Sequence, residues 1–509
     1  MHAALLSFLP RMLVLTVPAI LAACTDRSTG GSAPIPAVPV AANDGAGSGV
    51  SDAASAAPTG DWGEFLGPHQ NGISDETGLA EKWPAAGPPV LWKLKIGEGY
   101  SAPSIRGNRL VLFHRPLQKT LSGNAEVVEC LAADTGEPIW RHTDPTDYVD
   151  PYGYNGGPRC TPLLTRDRCY TFGAEGLLTC LNLENGEKIW QRQTAQEFHV
   201  PRGFFGVGAT PILEGNQLIV MVGGHPKSGV VALDAQTGKT VWENVGPETW
   251  AAPRVRIQRD RPPERLASYA APLAATIHGK RHVLCFMRPG LVSLDPATGA
   301  TNFSFWFRSE LHDSVNAARP VVVDDTIFLS AAYDTGAVLL KVHPDGKACD
   351  VLWKDVEAMQ THWSTAIADH GYLYGFSGRH MAGSTFRCID MKTGAVQWRT
   401  RDVDADDEPD HTDGRGQTPP RFYGRGSATL ADGKFIVQGE TGVLALVAVN
   451  PEKFVEISRV SYPEAGYPSW AAPVLAHKRL YLNVARETRD RLGRQLHEYH
   501  LLCLDLAKP

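Results

Sequence analysis

The residues of this chain that could do chemistry are few and dispersed. One run is dense in carboxylates, with Asp402, Asp404, Asp406, Asp407, Glu408, Asp410 and Asp413 close together. Asp402, Asp404 and Asp406 alternate as the oxygen ligands of a calcium loop do. Such a loop also needs a glycine at its sharp turn and a bidentate glutamate at its end. Asp407 and Asp413 stand in those places, so the run reads as a solvated loop and a metal candidate with an incomplete ligand set. Seventeen histidines are scattered, and no nucleophile elbow, phosphate-binding glycine loop or paired-histidine zinc helix occurs. Recognition chemistry is better represented. Long segments between apolar runs carry Tyr152, Tyr154, Arg159, Phe204, Phe205, Trp250, Arg421, Tyr423, Arg425, Tyr467 and Trp470. Aromatic rings and guanidinium groups dominate binding hot spots, so these residues form the candidate binding face. The competing reading is that they pack the loops together and close a channel mouth.

The elements that must position those loops repeat. Cys130 to Trp140 reads CLAADTGEPIW, and Cys180 to Trp190 reads CLNLENGEKIW. Ala232 to Trp242 (ALDAQTGKTVW), Ser293 to Phe303 (SLDPATGATNF) and Cys388 to Trp398 (CIDMKTGAVQW) follow. A variant ends at Trp353, a worn copy lies near Leu446 to Ile457, and a last copy at Cys503 stops before its turn. Each copy is a hairpin by its own chemistry, because glycine supplies the positive φ of a tight turn between two alternating strands. A second theme precedes each hairpin: a short strand opened by small residues and often proline, as in Ala102-Pro, Thr161-Pro, Thr210-Pro and Ala472-Pro. Four strands recurring roughly every fifty residues predict a β-propeller. Eight copies of the second theme predict eight blades, or seven if the worn hairpin is not a blade. The strand around Trp92 has no unit before it, and pairing it with the strand of Cys503 closes the ring without a free edge.

The spacing small-x-Asp-x-x-Thr-Gly-x-x-x-Trp resembles the tryptophan-docking motif of the pyrroloquinoline quinone (PQQ)-like propeller repeat family, over about Pro89 to Leu506. The resemblance implies that Trp92, Trp140, Trp190, Trp242, Phe303, Trp353 and Trp398 stack between blades. It implies that Gly136, Gly186, Gly238, Gly299 and Gly394 receive them. Two branches share the repeat: quinoprotein dehydrogenases that bind PQQ and calcium, and BamB-like lipoproteins of outer-membrane assembly that bind no cofactor. The quinone enzymes usually carry an adjacent pair of cysteines, and no Cys-Cys pair is present here. Their calcium ligands and catalytic aspartate find no matching positions either.

The cysteines support the same reading. Cys130, Cys180, Cys388 and Cys503 fill the repeat slot that Ala232 and Ser293 fill elsewhere, where a free thiol behaves as a small apolar group. Cys160 and Cys169 lie on adjoining strands without facing one another directly, and a bridge between them stays open. At the N-terminus an apolar run from Met12 ends in Leu21-Ala-Ala-Cys24. It resembles a lipoprotein signal, with Cys24 as the lipidated residue. The expected organisation is a signal peptide over 1–23 and a lipidated Cys24 with a disordered tether over 24–60. An N-terminal extension over 61–88 then packs its aromatics on the side of a propeller over 89–509. A net charge of -6 lacks the basic excess that nucleic-acid binding needs.

The fold expected is therefore all-β: an eight-bladed β-propeller of four-stranded antiparallel blades, its ring closed by N- and C-terminal strands. The function expected is that of an exported, membrane-anchored, monomeric scaffold without a cofactor, on the periplasmic or cell-surface side. It would bind an envelope protein or peptide through the loop-rich face. A dehydrogenase using PQQ with calcium is the first alternative, and a glycan-binding propeller the second.

Overall fold

The computed structural model describes residues 60–117, 124–201, 205–246, 267–311, 314–400, 423–489 and 491–508. Cys24, Phe204, Trp250, Arg421 and the carboxylate trio Asp402, Asp404 and Asp406 lie outside the described residues.

Eight four-stranded antiparallel sheets follow one another around a ring. Blades 1 to 7 take their four strands in chain order, over 104–145, 163–193, 212–244, 273–306, 321–355, 367–399 and 426–461. Blade 8 is composite: Val474–Ala476, Arg479–Arg489 and Gln495–Asp505 are completed on the outside by Val90–Ile96. Trp92 lies opposite Cys503 in that pairing, which is the closure expected.

The repeat builds each blade by local chemistry. In the third hairpin the Asp234 carboxylate accepts from the Thr237 backbone N–H at 2.8 Å and from its hydroxyl at 2.7 Å. Asp390 holds Thr393 in the same way. The following glycine is left-handed, with φ of +70° at Gly238 and +77° at Gly394, where a side chain would strain the backbone. The ring of the preceding blade then sits on that turn. A Cβ on Gly186 would lie 2.5 Å from the Trp140 ring, and one on Gly299 2.5 Å from Trp242. Each indole N–H also donates into the next blade: Trp92 to the Ala133 carbonyl, Trp140 to Leu183, Trp190 to Ala235, Trp353 to Met391. The thiol slot lies directly across the strand pair from the ring, Cys130 opposite Trp140 and Cys180 opposite Trp190.

Two blades depart from this rule. Phe303 has no N–H to give, and the turn glycine of the next blade, Gly346, faces His282 instead. In blade 7 the ring position is Ser458, opposite Leu446. There the extension supplies the missing aromatic: Trp83 is 4% exposed and packs in one cluster with Val460, Tyr462 and Ala476. The core lies between blade faces throughout, as where Val111, Val128 and Cys130 of blade 1 meet Leu164, Cys169 and Leu181 of blade 2.

The extension keeps Trp83 on the side, against the outer strand of blade 7, but carries Trp62 and Phe65 elsewhere. It crosses the face that carries the tight hairpin turns. Trp62 and Ile105 exchange two backbone hydrogen bonds of 2.9 Å, and Leu164 N–H donates to the Gly63 carbonyl. Farther along, Ile73 bridges Leu430 and Leu79 bridges Ala507. Between these anchors, buried Arg319 of blade 5 donates to the carbonyls of Phe65 and Gln70 at 3.3 and 3.0 Å. The reason lies in the backbone: inner strands of a propeller leave unpaired N–H and C=O groups toward the axis, and the extension pairs them.

Candidate functional site

A cavity of about 440 Å³ lies on the propeller axis. Phe65 and Leu66 of the extension form its floor. Its waist is the small residue that opens the inner strand in one blade after another: Ala102, Thr161, Thr210, Thr365, Ala428 and Ala472. These positions are knitted together, with the Thr210 hydroxyl accepting from Thr161 N–H and the Thr365 hydroxyl from Arg319 N–H, both at 3.0 Å. Small residues are required here because eight strands converge on the axis. The mouth opens among the long connections between blades and the loops joining second and third strands.

Aromatic rings make a belt at that mouth. Phe205 lies 5.1 Å from Tyr152 and 5.7 Å from Tyr154. Trp470 lies 5.6 Å from Tyr154, 4.8 Å from Tyr100 and 5.3 Å from Trp363. Centroid separations of this size are favourable ring contacts, so each ring fixes its neighbours.

Two buried carboxylates hold the belt in place. Asp150 accepts from Tyr152 N–H at 2.8 Å and from the Arg159 guanidinium at 2.7 Å, which folds the loop before blade 2 around itself. Arg159 in turn lies over the Tyr100 and Tyr148 rings. On the opposite wall Glu440, fully buried, receives Arg425 through two nitrogens at 2.9 and 2.7 Å and the Trp470 indole N–H at 2.8 Å. The Arg425 guanidinium lies 4.5 Å over Trp363 and 5.2 Å over Trp470.

Arg425 also sets a tautomer. It donates to His362 Nδ1 at 3.2 Å, so the neutral ring carries its proton on Nε2 and donates to the Tyr333 hydroxyl at 3.1 Å. Burial first, then the charges of Arg425, Arg379 and His380, push His362 down to about 3. It is neutral at physiological pH, and Tyr333 keeps its own hydroxyl proton to give.

Six sequence candidates thus come together at the cavity: Tyr152, Tyr154, Arg159, Phe205, Arg425 and Trp470. Tyr467 stands behind, edge-on to Trp470 at 6.0 Å. Tyr423 is not at the cavity: it is 4% exposed, packs on Phe376 and Phe454, and hydrogen-bonds Glu456. It fills the core between blades 6 and 7. Sequence reasoning missed Tyr100, Tyr269, Tyr333, His362, Trp363 and Arg379. A signal for three of them was present. Tyr100, Arg159, Tyr269, Trp363 and Trp470 each stand two residues before the small residue that opens an inner strand, and all five line the cavity.

The donor set does not suit a cation. No carboxylate is among the described residues lining the cavity, and Asp150 and Glu440 nearby are engaged by arginines. Among the described residues no cluster of His, Cys, Asp and Glu could hold a metal ion. The calcium that accompanies PQQ in quinone enzymes therefore has no oxygen cage in these residues. The thiols are equally unsuited: no disulfide joins Cys160 to Cys169, and burial lifts Cys130 and Cys503 to about 12 and Cys180 and Cys388 to about 11.

Comparison with known proteins places the chain in a family. No curated protein matches the chain. Among solved structures, BamB from Moraxella catarrhalis is 14% identical, with 82% of this chain and 98% of that chain covered and a TM-score of 0.49. The quinohemoprotein alcohol dehydrogenase of Comamonas testosteroni is 13% identical, covering 88% of this chain and 81% of that one, with a TM-score of 0.56. A quinohemoprotein alcohol dehydrogenase from Pseudomonas putida HK5 is 12% identical, covers 89% and 81%, and also has a TM-score of 0.56. At such identities the likeness speaks for fold alone. The family model described as outer membrane protein assembly factor BamB matches residues 124–400, more than half of the chain. With the eight-bladed ring and its docked tryptophans, that match makes the chain a member of the PQQ-like β-propeller family, in its BamB-described group.

Proposed function

We propose that this protein is a non-catalytic binding propeller of the cell envelope, exported and lipid-anchored at Cys24. It seats part of a partner protein or peptide in the axial cavity. The carrying observation is the character of that cavity: aromatic and arginine walls, a floor made by the chain's own extension, and a mouth among residues of the loop-rich face. Rings and guanidinium groups held rigid in advance bind with little ordering cost. Membership of a family described by an assembly factor supports a protein partner.

Neither alternative gains from the site. A PQQ dehydrogenase needs a cation cage that the described lining residues do not offer. A glycan presents hydroxyls that donate as well as accept, and the carboxylates that would accept from them are spent on Arg159 and Arg425.

Photo-cross-linking in intact cells tests the proposal. A benzophenone amino acid at position 154 or 205 is expected to trap a second envelope protein. The same group at position 496, an exposed strand position away from the cavity, is expected not to. Equal trapping at all three positions, or monomer alone at all three, would sink the reading.

A further inference from the structure

The three arginines of the cavity wall are not equivalent. Arg159 and Arg425 are each tied to a buried carboxylate. Arg379, in the loop between Tyr372–Ser377 and Thr385–Asp390, has no carboxylate and no hydrogen-bond acceptor for its guanidinium among the described residues. Among the described residues its guanidinium lies over the face of the Tyr333 ring, at 4.4 Å. The groups around it are donors as well. Tyr333 has its hydroxyl proton free, because His362 donates to the oxygen from Nε2. The indole N–H of Trp363, shut off from solvent, has no acceptor among the described residues. An unsatisfied buried donor costs about 1–3 kcal/mol, which is a standing bias toward an oxygen-bearing guest.

We propose, resting on the reading of this cavity as a binding site, that its guest is a carboxylate carried on an aromatic-sized apolar body. The carboxylate sits against Arg379 and the Tyr333 hydroxyl, and the body lies among Phe205, Tyr154 and Trp470. Among the described lining residues the wall is cationic there and carries no acidic group to repel the guest. Two sources share this chemistry: an acidic residue beside an aromatic one in a peptide, and a free small acid. The volume of about 440 Å³ lies at the small end of ligand pockets, which excludes a folded domain and admits either source.

Titration of the purified protein, read by calorimetry, decides the matter. Two matched pairs serve as probes: N-acetylphenylalanine with N-acetylphenylalaninamide, and the blocked peptide Ala-Phe-Asp-Phe-Ala with its Asn analogue. In at least one pair the acid should bind about 10-fold or more tightly than its neutral partner, the difference shrinking as salt rises. Arg379→Gln, at an exposed position that should leave folding intact, should abolish the preference while leaving the neutral probe's affinity in place. Tyr333→Phe should reduce it by several-fold. A response in the first pair alone identifies a free acid, and in the second alone an acidic peptide. Equal binding of acid and neutral probes overturns the carboxylate proposal and leaves the cavity reading standing. Failure of all four probes to bind overturns the proposal, and the cross-linking result then decides separately whether the cavity reading falls with it.

Discussion

Replacing Arg425 by Met tests whether one buried ion pair holds the cavity wall. The Glu440 side chain is 0% exposed and that of Arg425 13% exposed. In R425M the carboxylate keeps only the Trp470 indole N–H and the main-chain N–H of residue 425 as donors. Stranding one member of a buried pair costs about 3–5 kcal/mol. E440Q strands the guanidinium instead, but Arg425 still donates to His362 and to the Arg379 carbonyl, so the loss is about 2–3 kcal/mol. With both changes no charge is left unpaired, and only packing and hydrogen bonds are lost, about 1–2 kcal/mol. The double-mutant cycle should therefore return a coupling of about 3 kcal/mol or more, the top of the range for contacting residues. Urea unfolding of the four proteins, followed by tryptophan fluorescence, measures it, with an unchanged denaturant slope making the midpoint shift a stability difference. Single effects that add to within about 0.5 kcal/mol would refute the argument, because the two charges would then not need one another.

Two further outcomes follow from buried groups elsewhere. Burial lifts Glu126 from the ordinary 4.5 to about 7, against the Ala174 N–H that it accepts at 2.9 Å. A carboxyl raised on folding contributes stability that is complete below its unfolded value and is lost as pH rises through about 7. Glu126→Gln should therefore flatten the pH dependence, gaining about 2–3 kcal/mol over the parent between roughly pH 5 and pH 8. Parallel pH curves for parent and variant, measured by denaturant unfolding, would show that the group is not buried as described. Gly186→Ala should cost roughly 3 kcal/mol or more, because φ is +74° and the new methyl would displace the Trp140 ring and its bond to the Leu183 carbonyl. Gly107→Ala, at φ +55° with nothing within 4 Å, should cost only about 1–2 kcal/mol. Equal thermal shifts for the two would remove the docked ring from the explanation.

The propeller was legible because its instructions are local. An aspartate that bonds the backbone and hydroxyl of a threonine three residues on, then a left-handed glycine, makes one hairpin wherever it occurs. A ring four residues after the glycine then finds the turn of the next blade. Repetition converts these short-range rules into a closed ring, and the stray strand of Trp92 had one edge left to join. The path of the extension was not legible in that way. Trp62, Phe65 and Trp83 read only as buried aromatics, and nothing within a few residues of them says which blade they meet. Trp62 and Phe65 are placed by the pairing of their segment with Ile105, Leu164 and Leu430, inner-strand edges far away in sequence, and Trp83 by the outer strand of blade 7, where its N–H donates to Ser458.

The cavity occupies a middle case. Loop length and aromatic content were enough to bring six residues to one mouth, but they also admitted Tyr423, whose hydroxyl is spent on Glu456 inside the blade 6–7 core. What separates the two outcomes is distance from the axis, and a loop's composition does not carry that distance. The repeat does carry it. The residue two places before each small inner-strand residue is pinned close to the axis by the strand that follows, so a large side chain there has the cavity to enter. Tyr100, Tyr269 and Trp363 meet that condition, whereas Tyr333, His362 and Arg379 do not. Those three are brought in by contacts instead: Arg379 on the Tyr333 ring, Tyr333 on His362, and His362 on Arg425, whose own place depends on Glu440. A chain of dependent contacts across blades 5, 6 and 7 has no counterpart in sequence spacing, and the one unpaired cation of the described wall stands at its end.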